Sequence, residues 1–305
     1  MSIESLIPFG LHKETEQLVD VARIPRGKIC GCICPSCEIP LIARQGNQKE
    51  WHFAHQSRSS HTEIKRECEY SFGVSVRLMI RQLAIQGLRL RLPKLVHTME
   101  AISEMTRESR VVEVEVEVTG ESTIQLQYPG VGLQFSGVEV DVYGHVEEVP
   151  FILYVTYEGR RVPAELEAPV IERSGIVELR VDELRQIFRD QKEGGYLKAL
   201  ETFIEETTSG KSWIHHPRLP GAILEAEKLL ANRILDHEKY EEAAEAVGPG
   251  SLSGFAISKL ITEGVSMSAR QAITKNYECI MCKSNWLDTS PICVKCDTHL
   301  YTREV

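Results

Sequence analysis

The residues best suited to chemistry lie in two clusters of soft metal ligands. In CICPSCEIPLIARQGNQKEWHFAH, residues 32–55, Cys34 and Cys37 enclose two residues; after fourteen more come His52 and His55, with the same spacing. Two thiolates and two imidazoles fill a tetrahedral zinc site and leave no position for water, so this set predicts a structural ion rather than a catalytic one. Cys30 and Cys32 lie close enough for either to replace a histidine. At the other end, Cys279 and Cys282, then Cys293 and Cys296 after ten intervening residues, make a CxxC…CxxC pattern. Four thiolates on two knuckles predict a closed zinc ribbon. Two structural zinc sites are therefore expected, each folding a segment too small to bury a core of its own.

A third group is the segment GKSWIHHPRL, where Trp213, His215, His216 and Arg218 are types that stack on a base and touch a phosphate backbone. The same residues also suit a loop pinned between two helices by a buried tryptophan.

The composition narrows what these groups can serve. In 305 residues, 42% are hydrophobic and 26% charged, as in a globular protein. The opening MSIESLIPFGLHKETEQ has neither the basic start nor the apolar run of a signal peptide, and no segment has the length of a membrane span. A cytoplasmic chain is expected, with no membrane partner. The nine cysteines then read as metal ligands or reduced thiols. The formal charge is −9, and residues 99–183 hold 6 basic against 18 acidic groups. Any DNA contact must therefore be local, or shared with a protein partner.

The elements that position these groups follow from periodicity. Residues 16–29 alternate and break at Pro25-Arg26-Gly27, predicting a strand, a turn and a second strand. From Ser60 to about Gln86 apolar residues recur every three or four positions, predicting a helix capped by Ser59 or Ser60. Strict alternation in VVEVEVEV, residues 111–118, predicts a half-buried strand. Further strands are expected at 122–128, 133–143, 151–157 and 176–181, with a short helix at 162–172. Residues 183–246 are expected to be helical around a loop at 210–221, with another helix at 251–273. The fold class is α+β or α/β. Its expected domains are a zinc-binding module at 1–59, an α/β domain at 60–209, a helical region at 210–275 and the ribbon at 276–305.

With CPSC, a short polar hairpin, WHFAH and SSHTEIK in place, the run from about residue 16 to 65 resembles the CoiA-like competence protein family. That resemblance implies a zinc-finger-like module ahead of a PD-(D/E)XK nuclease-like domain, and is followable to about residue 220. In that fold an Asp on one strand and a Glu-x-Lys group on the next hold one or two divalent ions that activate water. The Asp position matches Asp141 in GVEVDVYG. Where the family's Glu would stand, this chain has Phe151, Ile152 and Leu153; where its Lys would stand, it has Thr156 or Tyr157. The resemblance thus implies a nuclease fold without the chemistry, binding DNA or a protein partner in DNA uptake, processing or antiviral defence. If the chain does cut DNA with Mg²⁺ or Mn²⁺, Glu139 is the best second ligand, because strand alternation puts it on the face of Asp141. A third reading is a scaffold whose zinc modules grip proteins and never touch DNA.

Overall fold

The computed structural model describes residues 6–47, 49–56, 68–104, 109–191, 193–247, 275–279, 283–288 and 302–304. The architecture is mixed α+β in two compact units: Met1–Ala101 with Glu113–Leu230, and Ile102–Val112 with Ala231–Val305.

The first unit begins with short strands. β1 (Phe9–His12) pairs antiparallel with β2 (Gln17–Asp20) and, on its other edge, with β3 (Cys32–Ile33). β4 (Leu41–Arg44) and β5 (His52–His55) form an antiparallel hairpin. The partner of β2 is therefore the upstream strand β1. The residues after Pro25, expected to be a strand, instead form a single helical turn at Lys28–Cys30.

α1 (Phe72–Ile85) follows, and its buried face is Phe72, Gly73, Ser75, Val76, Met79, Ile80, Leu83 and Ala84. The expected start near Ser60 falls at 57–67, outside the described residues, and Cys68, Glu69 and Tyr70 are not helical. Two contacts fix the later start. The Ser71 hydroxyl accepts the Val74 N–H at 3.4 Å, an N-cap, and the Tyr70 hydroxyl donates to the Phe9 carbonyl at 2.8 Å. Gly73 in the first turn meets the Tyr157 ring so closely that a Cβ there would lie 2.4 Å from Tyr157 Cγ.

Next come β6 (Arg89–Leu92), β7 (Leu95–Glu104), β8 (Ser109–Thr119) and β9 (Ser122–Gln125), with β6 paired to β9 and β7 to β8. β8 alternates as expected, with Val114, Val116 and Val118 buried. The central sheet is built from β10 (Gln127–Val131), β13 (Val142–Val146), β14 (Val149–Thr156), β15 (Gly175–Arg180) and β16 (Lys211–His215), in that order. Only β14 and β15 run parallel. β14 is buried on both faces from Phe151 to Thr156, which is why it reads as an unbroken apolar run.

Three elements differ from the expected ones. The strand expected at 133–143 is broken into a hairpin, β11 (Gln134–Phe135) and β12 (Val138–Glu139), with Ser136 and Gly137 both at positive φ. That conformation suits a two-residue hairpin turn. The helix expected at 162–172 is only α2 (Ala164–Glu167), because Pro169 disfavours helical geometry at Ala168. The loop expected at 210–221 contains β16, an edge strand paired antiparallel with β15.

α3 (Leu184–Asp190) and α4 (Tyr196–Glu206) complete the core, Phe188 stacking on Tyr196 at 4.8 Å. One hydrophobic cluster runs without interruption from Ile7, Phe9 and Phe53 through α1 and β14 to Phe203. The cysteine-rich hairpins thus share their core with the sheet and helices. α5 (Leu219–Val247) enters with Ala222, Ala226 and Leu230 as its buried stripe.

In the second unit β17 (Lys275–Cys279) pairs antiparallel with β18 (Asn285–Asp288) and β19 (Thr302–Glu304). Cys279 ends β17. Cys282, Cys293 and Cys296 of the expected ribbon, and the helix expected at 251–273, lie outside the described residues. No helix among the described residues is long and apolar enough to cross a membrane.

Candidate metal centre and the Asp141 cluster

The chain between β3 and β4 folds into a knuckle. The Glu38 N–H donates to the Cys34 carbonyl at 2.8 Å and the Cys34 N–H to the Ile39 carbonyl at 2.9 Å, with Glu38 at φ 59°. This tight turn brings both thiols to one side. The N–H groups of Ser36 and Cys37 reach the Cys34 sulfur, and that of Ile39 reaches Cys37. β5 presents His55, and the extended segment before α1 presents Cys68. One ligand atom from each of Cys34, Cys37, His55 and Cys68 lies within 4.8 Å of every other. Cys68 Sγ is 3.5 Å from Cys34 Sγ and 3.4 Å from His55 Nε2.

Zn–S bonds of about 2.3 Å and Zn–N bonds of about 2.0 Å in a tetrahedron give ligand-to-ligand edges of about 3.5–3.8 Å. The four residues therefore fit one zinc ion in a Cys₃His set. Burial pushes the Cys34 and Cys37 thiols up from their ordinary range, and binding a zinc ion would take the proton from each. For Cys68 burial acts in the same direction, but the Tyr70 N–H and the neighbouring thiols outweigh it and bring the thiol below its ordinary value.

Of the four N-terminal residues singled out by spacing, the structure brings together Cys34, Cys37 and His55, and puts Cys68 where His52 was expected. Strand geometry supplies the reason. Residues three apart on a strand face opposite ways, so His52 and His55 on β5 cannot both point into one site. The His52 Nδ1–H donates instead to the Glu50 carbonyl at 2.8 Å. Cys30 and Cys32 are buried and their thiols donate to the Leu41 carbonyl at 3.2 Å and the Cys30 carbonyl at 3.3 Å. Burial raises the Cys32 thiol to about 12. Neither takes a histidine's place. Cys68 reads by periodicity as part of a helical face, and the available signal was its position thirteen residues after His55 in a segment already rich in ligands.

Asp141 sits between β12 and β13, fully buried, and every partner it has is a donor. Its Oδ1 accepts from Arg77 Nε and from Arg81 Nε at 3.0 Å; its Oδ2 accepts from the Val155 N–H at 2.7 Å and Arg160 Nη1 at 2.7 Å. Glu139 Oε1 pairs with Arg81 Nη2 at 2.8 Å and Arg77 Nη2 at 3.3 Å. Arg77 and Arg81 stand one turn apart on α1, which is why both reach the same carboxylates. Burial works against the Arg77 charge, but Asp141 and Glu139 outweigh it and hold the guanidinium more firmly protonated. The hydrogen bond from Arg81 lowers the Glu139 carboxyl below its ordinary range. Arg160 also lies 3.9 Å over the Tyr154 ring.

The remaining candidates are engaged within the fold. The Trp213 indole N–H donates to the Pro93 carbonyl at 2.9 Å, and its ring meets Phe151 and His216 edge-on. His215 Nδ1–H donates to the Ser174 carbonyl at 2.9 Å. His216 is buried, its Nδ1 accepting the Arg218 N–H at 3.2 Å, and burial lowers its pKa to about 4. Arg218 is exposed.

No curated protein and no solved structure matches the chain. The stretch that carries Cys34, Cys37, His52 and His55 does find a family: residues 23–62 match the model described as competence protein CoiA, N-terminal domain.

Proposed function

We propose that this chain is a CoiA-like protein in which zinc holds the N-terminal hairpins on a degenerate PD-(D/E)XK nuclease-like domain, and that it binds DNA during uptake, processing or defence against foreign DNA. The observation that carries the reading is the surroundings of Asp141. A catalytic Mg²⁺ needs anionic oxygens with free lone pairs. Here both oxygens of the candidate ligand are taken by three guanidinium groups and a backbone N–H. Glu139, the best second ligand, is held by two of the same arginines.

The nuclease-like reading is supported by the arrangement of α1, an antiparallel β13–β14 pair, and β15 returning parallel to β14 through α2. In the same reading Cys279, Cys282, Cys293 and Cys296 hold a second zinc in a C-terminal ribbon. The reading is tested by incubating zinc-replete protein with plasmid and linear DNA in Mg²⁺ or Mn²⁺, and by measuring DNA binding at low salt, where phosphate contacts are strongest. The expected result is binding without cleavage. Cleavage that disappears in Asp141→Asn would instead make the chain a divalent-metal nuclease, and absent binding would favour a protein-binding scaffold.

A further inference from the structure

The Asp141 cluster is not electrically balanced. Three guanidinium groups, from Arg77, Arg81 and Arg160, meet two carboxylates, from Asp141 and Glu139, leaving one positive charge in excess. The two acids are not equivalent. Asp141 is wholly buried, whereas the Glu139 side chain is 52% exposed; the arginines are 15–18% exposed. Asp141 orients the guanidinium groups from beneath, and Glu139 covers two of them from the solvent side.

Arg77 and Arg81 each give Nε to Asp141 and Nη2 to Glu139. Among the described residues their Nη1 groups meet no acceptor. Beside Arg81 Nη1 the chain passes as Gly132, at φ +63°, where a Cβ would lie 3.2 Å from that nitrogen. The glycine keeps the space next to the fork open. Two neighbouring guanidinium groups whose Nη1 donors meet no acceptor among the described residues, both held by the buried carboxylate of Asp141, suit a tetrahedral oxyanion.

We propose that Arg77 and Arg81 form a subsite for one backbone phosphate of a nucleic acid, and that Glu139 occupies it in the free protein as an internal anion which the phosphate displaces. This rests on the DNA-binding reading above and names the place of contact. It also accounts for how an acidic chain of formal charge −9 can hold DNA. The contact is local, and the cost of opening it is the two half-exposed ion pairs of Glu139. Each exposed pair of this kind is worth about 0.2–1 kcal/mol, a factor of about 1.4–5, so neutralising Glu139, which makes two, should tighten phosphate binding about two- to thirtyfold.

The test compares wild type, Glu139→Gln and Arg81→Lys as full-length, zinc-replete proteins. Anisotropy of labelled single-stranded and duplex oligonucleotides is read across a salt series, with inorganic phosphate as competitor. Glu139→Gln changes only a half-exposed group, so it probes the subsite without risk to the fold. Arg81→Lys keeps the charge over Asp141 but loses the fork. The expected result is tighter binding for Glu139→Gln, weaker binding for Arg81→Lys, and a salt slope for Arg81→Lys shallower by about 1. DNA binding that neither substitution changes would overturn the subsite and leave the DNA-binding reading standing. No binding to DNA by wild type or Glu139→Gln at low salt would overturn both; phosphate binding in that case would assign the forks to the free anion.

Discussion

Replacing Asp141 by Asn separates a structural carboxylate from a catalytic one. The substitution keeps the shape and one acceptor oxygen, but turns the second oxygen into an NH₂ that faces Arg160 or the Arg77–Arg81 pair. Before the change, three guanidinium groups share two acids; after it, Arg77 and Arg81 keep the half-exposed Glu139, and Arg160 loses the one carboxylate it pairs with. Breaking a buried pair by removing one partner costs about 3–5 kcal/mol, because the other charge stays where water cannot reach it. The arginines are 15–18% exposed, so they cannot easily relax into solvent. For a unit of this size each kcal/mol lowers Tm by about 2–4 °C, giving a drop of about 6–20 °C. Guanidinium-chloride and thermal unfolding of zinc-replete protein measure it, with zinc content determined in parallel. Arg160→Met provides the cycle: in the double variant the loss should be less than the sum of the two single losses, since the two residues are in direct contact. An Asp141→Asn protein as stable as wild type, but with weaker Mn²⁺ binding, would refute the reasoning and return Asp141 to the role of metal ligand.

Three further outcomes are expected. Cys68→Ser should release the N-terminal zinc while His52→Gln retains it, read as zinc per chain after dialysis against a weak chelator; retention by both variants would remove Cys68 from the set. His216 has a pKa lowered from 6.5 to about 4, so between those values the unfolded chain binds the extra proton and stability falls as pH falls from 6.5 towards 4. The full difference is on the order of 3 kcal/mol, and His216→Gln should flatten that part of the Tm-versus-pH curve. Gly73→Ala places a methyl 2.4 Å from Tyr157 Cγ, an overpacking expected to cost about 1–3 kcal/mol in denaturant unfolding, with Tyr157→Ala largely restoring stability in the double variant.

What could be read from the sequence follows the range over which each signal acts. β8 and the buried face of α1 repeat with their own period over many residues, and both stand where periodicity puts them, apart from the start of α1. That start depends on Ser71 and on a Tyr70–Phe9 contact across 61 residues, which no local pattern contains. The knuckle at Cys34 and Cys37 is local and legible. The fourth ligand was only half legible: a period-2 argument rules out His52 beside His55, but it leaves Cys30, Cys32 and Cys68 as candidates, and only the fold, which buries the first two against backbone carbonyls, singles out Cys68.

The Asp141 cluster divides in the same way. Glu139 and Asp141 meet the same two arginines, but not by the alternation of one strand: Glu139 ends β12 and Asp141 lies between β12 and β13. Arg77 and Arg81 at helical spacing are visible as a pair, yet their destination is not, since it depends on α1 packing across the sheet. A carboxylate matched to a nuclease position carries no information about its counter-ion until the helix opposite is placed. On the proposed nuclease-like reading the missing Glu near residue 152 means lost chemistry, whereas the three guanidinium groups around Asp141 could not be read from the sequence at all. The two facts belong together. Without a second acid on β14, a divalent ion would be poorly held, and the buried Asp141 would still need compensation. Arg77, Arg81 and Arg160 supply it, and their one charge in excess is what the proposed phosphate subsite rests on.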